Sequence, residues 1–191
     1  MKKIISTIAV ILYATSSMAQ NTEVKINAVA GALAVFNPSI EVALGKQSSL
    51  SVDYMGIYAE ESYLYTGFPL LYTMTMFEYR QYFKEEKNYK GFFAGGDFGL
   101  NMFRMNKNVI PLVMHDSGSR EYDVGYGYFL GFTVGYKYPI ATRWSIEASI
   151  SGGWSLTQHE GYNFEGERTF DLNPSAEWLL YKAGIYVSYR L

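Results

Sequence analysis

The sequence predicts an all-β fold, an eight-stranded antiparallel up-and-down transmembrane β-barrel. Three observations carry it. From Val24 onward apolar side chains recur at every second position, the period of a strand and not of a helix. Most alternating runs are about 9 to 14 residues long, against five or six for an ordinary globular strand. Aromatic residues reach 17% of the chain, with 18 Tyr and 12 Phe, and they gather on one face near the strand ends.

The N-terminus precedes the fold. Met1, Lys2 and Lys3 make a short positive start, and an apolar run over 4–14 follows, broken by Ser6 and Thr7. Ser17-Met18-Ala19 then places small residues at the −3 and −1 positions before Gln20. This is the layout of a secretory signal peptide cleaved after Ala19, and the run is too short for the roughly 20 residues that cross a bilayer as a helix. The expected organisation is a signal peptide over 1–19 and a barrel over 20–191. No later apolar run is long enough for a membrane helix.

The first strand is placed at about 24–33, alanine-rich and with the least defined register. Ile40, Val42 and Leu44 alternate with Glu41 and Ala43, and Leu50, Val52 and Tyr54 with Ser51 and Asp53. Phe77 and Tyr79 oppose Glu78 and Arg80, and Phe92, Phe98, Leu100 and Met102 oppose Asp97, Gly99 and Asn101. The run from Tyr122 to Tyr138 sets Tyr126, Leu130, Phe132 and Val134 against glycines, Thr133 and Lys137. Trp144, Ile146, Ile150 and Trp154 face away from Ser145, Glu147, Ser149 and Ser151. In the last strand Leu179, Tyr181, Ala183, Ile185, Val187 and Tyr189 are assigned one face, and Leu180, Lys182, Gly184, Tyr186, Ser188 and Arg190 the other. Short connections at 46–48, 84–90 and 139–143 alternate with longer ones at 59–70, 105–121 and 158–177, the pattern of an outer-membrane barrel with both termini on the short-turn side.

Alternation alone leaves a soluble lipocalin-like barrel open, with apolar residues inside. Three features favour lipid outside. Trp144 and Trp154 are ten positions apart, roughly 33 Å of strand or about 23 Å at a tilt near 45°, close to the height of an apolar band between aromatic girdles. The girdle is assigned to Tyr54, Tyr79, Tyr122, Tyr126, Tyr136, Tyr138, Trp144, Trp154 and Tyr189. The polar face is built of Gly, Ser and Thr with scattered charges, suited to a narrow lumen. The last strand also ends the chain.

The hairpin Ile40-Glu41-Val42-Ala43-Leu44-Gly45-Lys46 to Ser49-Leu50-Ser51-Val52 carries a resemblance, as do Val24-Lys25-Ile26-Asn27 and Gly131-Phe132-Thr133-Val134-Gly135-Tyr136 leading to Arg143-Trp144-Ser145-Ile146-Glu147. Over nearly the whole mature chain these resemble small outer-membrane barrels of the OmpA and OmpX type. They are most similar to an uncharacterised barrel family of the Bacteroidetes, a domain of unknown function. The resemblance implies an outer-membrane location and brings no active site. Leu191 stands where the commonest ending has Phe.

With polar faces inward, the lumen is expected to collect Glu41, Asp53, Glu78, Asp97 and Glu147 against Arg80, Lys137, Lys182 and Arg190, with Lys25 joining if it points inward. Eight strands leave an interior filled by side chains, so a plug of ion pairs is expected, with a gated narrow pore as the alternative. Catalytic candidates are few. His115 and Ser117, with Glu121 to orient the imidazole, have the His-x-Ser spacing of outer-membrane lipid A deacylases, although Asp116 to Ser119 is also ordinary turn chemistry. His159-Glu160 reads as a solvated loop pair. Zero cysteines remove disulfides, thiol catalysis and thiolate metal sites, and the formal charge of −2 leaves no basic footprint for nucleic acid. No metal and no cofactor are expected. Outer-membrane lipid is the expected surrounding, the chain is expected to be a monomer, and loops 59–70, 105–121 and 158–177 are the surface for an extracellular partner.

Overall fold

The computed structural model describes residues 22–59, 69–84, 90–106, 121–163 and 165–191. The expected signal peptide over 1–19 lies outside them, as do His115 and Ser117. Eight antiparallel strands close into a ring in sequence order: β1 (Thr22–Asn27), β2 (Pro38–Ala43), β3 (Ser48–Ala59), β4 (Leu70–Tyr82), β5 (Gly91–Met105), β6 (Glu121–Pro139), β7 (Trp144–Asn163) and β8 (Arg168–Arg190). A short helix, α1 (Ala28–Ala32), separates β1 from β2. β1 completes the ring by pairing with β8, from Glu23 opposite Arg190 to Asn27 opposite Tyr186.

Thr22, the first described residue, and Leu191 meet at one rim, the turn end, where Leu191 N donates to the Thr22 carbonyl at 3.1 Å. The tight turns share this rim. Leu44 N donates to the Ser48 carbonyl at 2.8 Å and Ile140 N to the Trp144 carbonyl at 2.9 Å. The opposite rim, the far end, holds the 163–168 turn and the ends of β3 and β5.

The polarity of the wall runs opposite to that of a water-soluble barrel. Leu130, Phe132, Val134, Ile150, Phe98 and Leu100 are exposed on the outside, while Asp53, Glu78, Arg80, Lys137 and Glu147 are buried inside. Leu130 is 68% exposed and Glu78 0%, a reversal of the usual partition of Leu and Glu. The interior at the turn end therefore combines paired charges with the buried rings of Tyr82, Phe93 and Tyr186, enclosed by the backbone ladders.

Four expectations are corrected. The first strand does not run over 24–33, because it stops at Asn27. The Asn27 side chain accepts from Ala30 N at 3.1 Å, capping a helix that the alanine-rich stretch favours once started. Strand lengths run from 6 to 23 residues, rising from β1 to β8, so the wall is low on one side and tall on the other. The stretch 158–177 is not a loop but the end of a β-hairpin. Asn163 closes its turn by accepting at its side chain from Glu167 N at 2.8 Å, and Gly166 supplies a positive φ of 80°. At this height β8 is an edge strand, where the proline at Pro174 is tolerated.

The fourth correction concerns β8. Ser151 pairs with Lys182 but Gly152 with Leu180, so Tyr181 is an extra residue in the ladder. This bulge turns both Tyr181 and Lys182 inward and reverses the phase above it. Leu180 and Trp178 are exposed, at 71% and 65%, and Leu179 moves to the inner side. Gly131 and Gly153 pack against each other behind it, and a Cβ on Gly131 would strike the Tyr181 hydroxyl and the Gly152 carbonyl. Gly131→Ala is therefore expected to cost about 1–3 kcal/mol by overpacking. Denaturant unfolding of the detergent-solubilised protein measures it, and the loss should shrink in Gly131→Ala/Tyr181→Phe, which removes the hydroxyl in the way.

Candidate functional site

The lumen at the turn end is a continuous charge network. Arg80 on β4 is its centre. Its guanidinium binds Glu78 in a two-point fork, Nε to Oε1 at 2.8 Å and Nη2 to Oε2 at 3.0 Å. Nη1 donates to both Glu147 oxygens at 2.9 Å and reaches Glu41 at 3.3 Å. The plane also lies 4.6 Å from the Phe93 ring centre, a stacked cation contact that an ammonium does not reproduce.

The remaining charges extend from this centre. Lys25 bridges Glu41 at 2.9 Å and Glu147 at 3.4 Å. Lys137 holds Glu23 at 2.5 Å and Glu41 at 3.5 Å, and Arg190 holds the other Glu23 oxygen at 2.7 Å. Lys182 reaches Asp53 at 3.2 Å and Glu78 at 3.5 Å. Glu41 also accepts from the Tyr82 hydroxyl at 2.9 Å and from Ser49 at 2.5 Å. Tyr186 lies between the ammonium groups of Lys25 and Lys182, 5.9 and 5.6 Å from its ring centre. Five acids, Glu23, Glu41, Asp53, Glu78 and Glu147, thus face five bases, Lys25, Arg80, Lys137, Lys182 and Arg190. Paired and hydrogen-bonded on several sides, such charges avoid most of the cost of burial.

Eight of the nine expected lumen charges thus meet in one network, and Lys25 points inward to join them. Asp97 stands apart, nearer the far end. It accepts from Thr133 at 2.9 Å and from the Tyr181 hydroxyl, with Thr133 also 2.6 Å from Ser151. Glu23 was missed because it precedes the first clear alternation. Its spacing of two from Lys25 on a strand was the available signal.

Above Asp97 the lumen changes character. Met74, Met76 and Phe129 are buried together, with Met55, Tyr72 and Tyr181 packed around them. Phe129 and Tyr181 have ring centroids 4.4 Å apart. Nearer the far end His159 is buried, its ring edge-on to Phe170 at 5.6 Å, which corrects its reading as a solvated loop residue. It points inward because β7 continues through it to Asn163.

Of the aromatic girdle, Tyr54, Tyr79, Tyr126, Tyr136, Tyr138, Trp144 and Trp154 are exposed on the outside. Tyr189 is partly covered by Trp144, with ring centroids 4.9 Å apart. Tyr122 is corrected, since it is buried. It stacks on Tyr162 at 5.8 Å and lies under the Arg104 guanidinium, 5.0 Å from its ring centre. Trp178, just beyond the expected 158–177 loop, sits opposite Trp154, with ring centroids 6.1 Å apart.

Glu121 opens β6, while its suggested partners His115 and Ser117 fall outside the described residues. Among the described residues no group of three His, Asp or Glu side chains converges as a metal site. No curated protein and no solved structure matches the chain. One family does match, over residues 5–191, and the chain belongs to it: the proteins of unknown function designated DUF3575.

Proposed function

We propose that the protein is a small outer-membrane β-barrel of the OmpA and OmpX type, exported by its first 19 residues. Its role is structural or surface-interacting, and it is not an enzyme. One observation carries this reading: the wall is apolar and aromatic outside and charged inside. In water the exposed Leu130, Phe132 and Leu180 would form part of an apolar surface far beyond what soluble monomers carry. In a bilayer the same face is the expected one, and a closed ring leaves few backbone groups unpaired. The soluble lipocalin-like reading requires the opposite polarity.

The test is fractionation with heat-dependent gel migration. The protein should sediment with outer membranes, need detergent for extraction, and migrate differently boiled and unboiled. A product in the aqueous fraction with unchanged migration overturns the proposal.

The balanced charge network supports a plug rather than a pore. The purified protein in planar bilayers should show no sustained single-channel conductance, and steady openings would favour the gated pore. Surface contacts fall to the far-end connections, including the 158–177 hairpin. If a deacylase activity resided at His115, lipid A from cells lacking the gene would differ in mass from that of cells carrying it. The reading proposed here expects identical masses.

A further inference from the structure

Five arginines lie among the described residues, and three of them answer carboxylates. Arg80 and Arg190 belong to the lumen network, and Arg168 holds Glu160 at 3.5 Å and Asp171 at 2.9 Å. Arg104 and Arg143 are exposed and bridge no acid among the described residues. Each donates instead to the hydroxyl of a girdle tyrosine, Arg104 Nη2 to Tyr122 at 3.3 Å and Arg143 Nη1 to Tyr189 at 3.1 Å. Both tyrosines are themselves braced. Tyr122 is stacked on Tyr162, whose hydroxyl donates to Glu160 at 2.7 Å, and Tyr189 packs on Trp144. Arg104 follows outward Leu100 and Met102 at period two along β5, and Arg143 reaches outward Tyr189 from the turn between β6 and β7.

The two stand at opposite ends of the apolar band. Arg104 is opposite Val124 in the ladder, and Pro139, at the other end of β6, is opposite Ser145 beside the turn that carries Arg143. Val124 to Pro139 is about 50 Å of strand, or about 35 Å of height at a tilt near 45°. A bilayer has a hydrocarbon core about 30 Å thick, and about 40–45 Å with its headgroups. If the chain is a membrane barrel, the reading on which this inference rests, both guanidiniums therefore fall in the headgroup layers. The anion that phospholipids bring to that depth is a phosphate ester. A guanidinium carries five N–H donors in a planar fork that matches phosphate, and a tyrosine hydroxyl occupies only part of it. We propose that Arg104 and Arg143 are clamps for lipid phosphate, one in each leaflet, with a tyrosine holding each guanidinium in place. Together they fix the depth of the wall by its two ends, where the apolar band alone would let it slide.

The experiment uses the full mature chain, isotope-labelled at the arginine Cζ and refolded into vesicles of phosphatidylglycerol and phosphatidylcholine in phosphate-free buffer. Solid-state NMR recoupling of carbon to phosphorus attenuates the Cζ signal of an arginine about 4 Å from a phosphate, the separation within a forked pair. The attenuated signal should fall in Arg104→Gln, fall comparably in Arg143→Gln, and fall by the sum in the double variant. Arg104→Lys and Arg143→Lys, which also remove a Cζ, serve if a glutamine variant does not refold. Unchanged attenuation in either single variant, in protein that floats with the vesicles, overturns the paired clamps and leaves the membrane reading standing. So does equal attenuation in galactolipid vesicles supplied with inorganic phosphate, which would assign the two arginines to the free ion. Protein that never associates with vesicles overturns both.

Discussion

Arg80→Met should destabilise the protein by about 3–5 kcal/mol, the largest loss expected from any single lumen substitution. The arithmetic comes from what is left behind. Arg80 answers Glu78 through two hydrogen bonds, Glu147 through two more, and Glu41 at 3.3 Å, and all three carboxylates are buried. Lys25 and Lys182 lie within reach of the orphaned carboxylates, but each is already committed, to Glu41 and Asp53 respectively. Removing the guanidinium turns a balanced set into one with an uncompensated buried charge, a far costlier state than removing an acid and a base together. Arg80→Met/Glu147→Gln should therefore lose less than the two single losses added. Arg80→Lys should recover only part of the stability, because an ammonium can neither fork onto Glu78 nor stack on Phe93. Urea unfolding of the refolded protein, followed by heat-dependent migration, provides the numbers. Equal stability of Arg80→Met and the native chain would mean that water, not protein, surrounds these carboxylates.

The same network shows what period two makes readable. Glu78 and Arg80, or Lys137 and Glu147 paired across β6 and β7, fall on the inner face by parity alone, so their meeting was legible without coordinates. Parity fails wherever the chain gains or loses a residue. Tyr181 is such an insertion, and neighbouring Gly152 and Gly153 were its only trace. At Asn27 a local hydrogen bond to Ala30 outcompetes the ladder, which no alternation of apolar residues reports. The polar, proline-bearing stretch around Pro174 has loop composition because it is solvated on both faces, although its backbone is extended. What was hidden, then, is the unevenness of the wall, since pairing partners and not side-chain pattern decide where a strand stops.

Ile150→Arg should separate the bilayer from water as the medium around the wall. Ile150 is exposed on β7, six residues above Trp144 and four below Trp154, and pairs with the equally outward Val134. In a soluble protein an arginine there would replace an exposed isoleucine with a better-hydrated side chain, and the change would stay within about 0.5 kcal/mol. In a bilayer the position lies near the middle of the apolar band, where arginine on a barrel's outer face costs about 2–4 kcal/mol. The cost should fall toward zero for Tyr138→Arg, because that ring sits beside the turn at 140–143, level with the interface, where a long cation reaches water. Folding into vesicles at graded urea reads both variants against the native chain. A depth-dependent pair of losses identifies hydrocarbon between the two tryptophan levels. Two equal and negligible losses would mean that the outward leucines and aromatics meet something other than lipid, and the membrane assignment would fall with them.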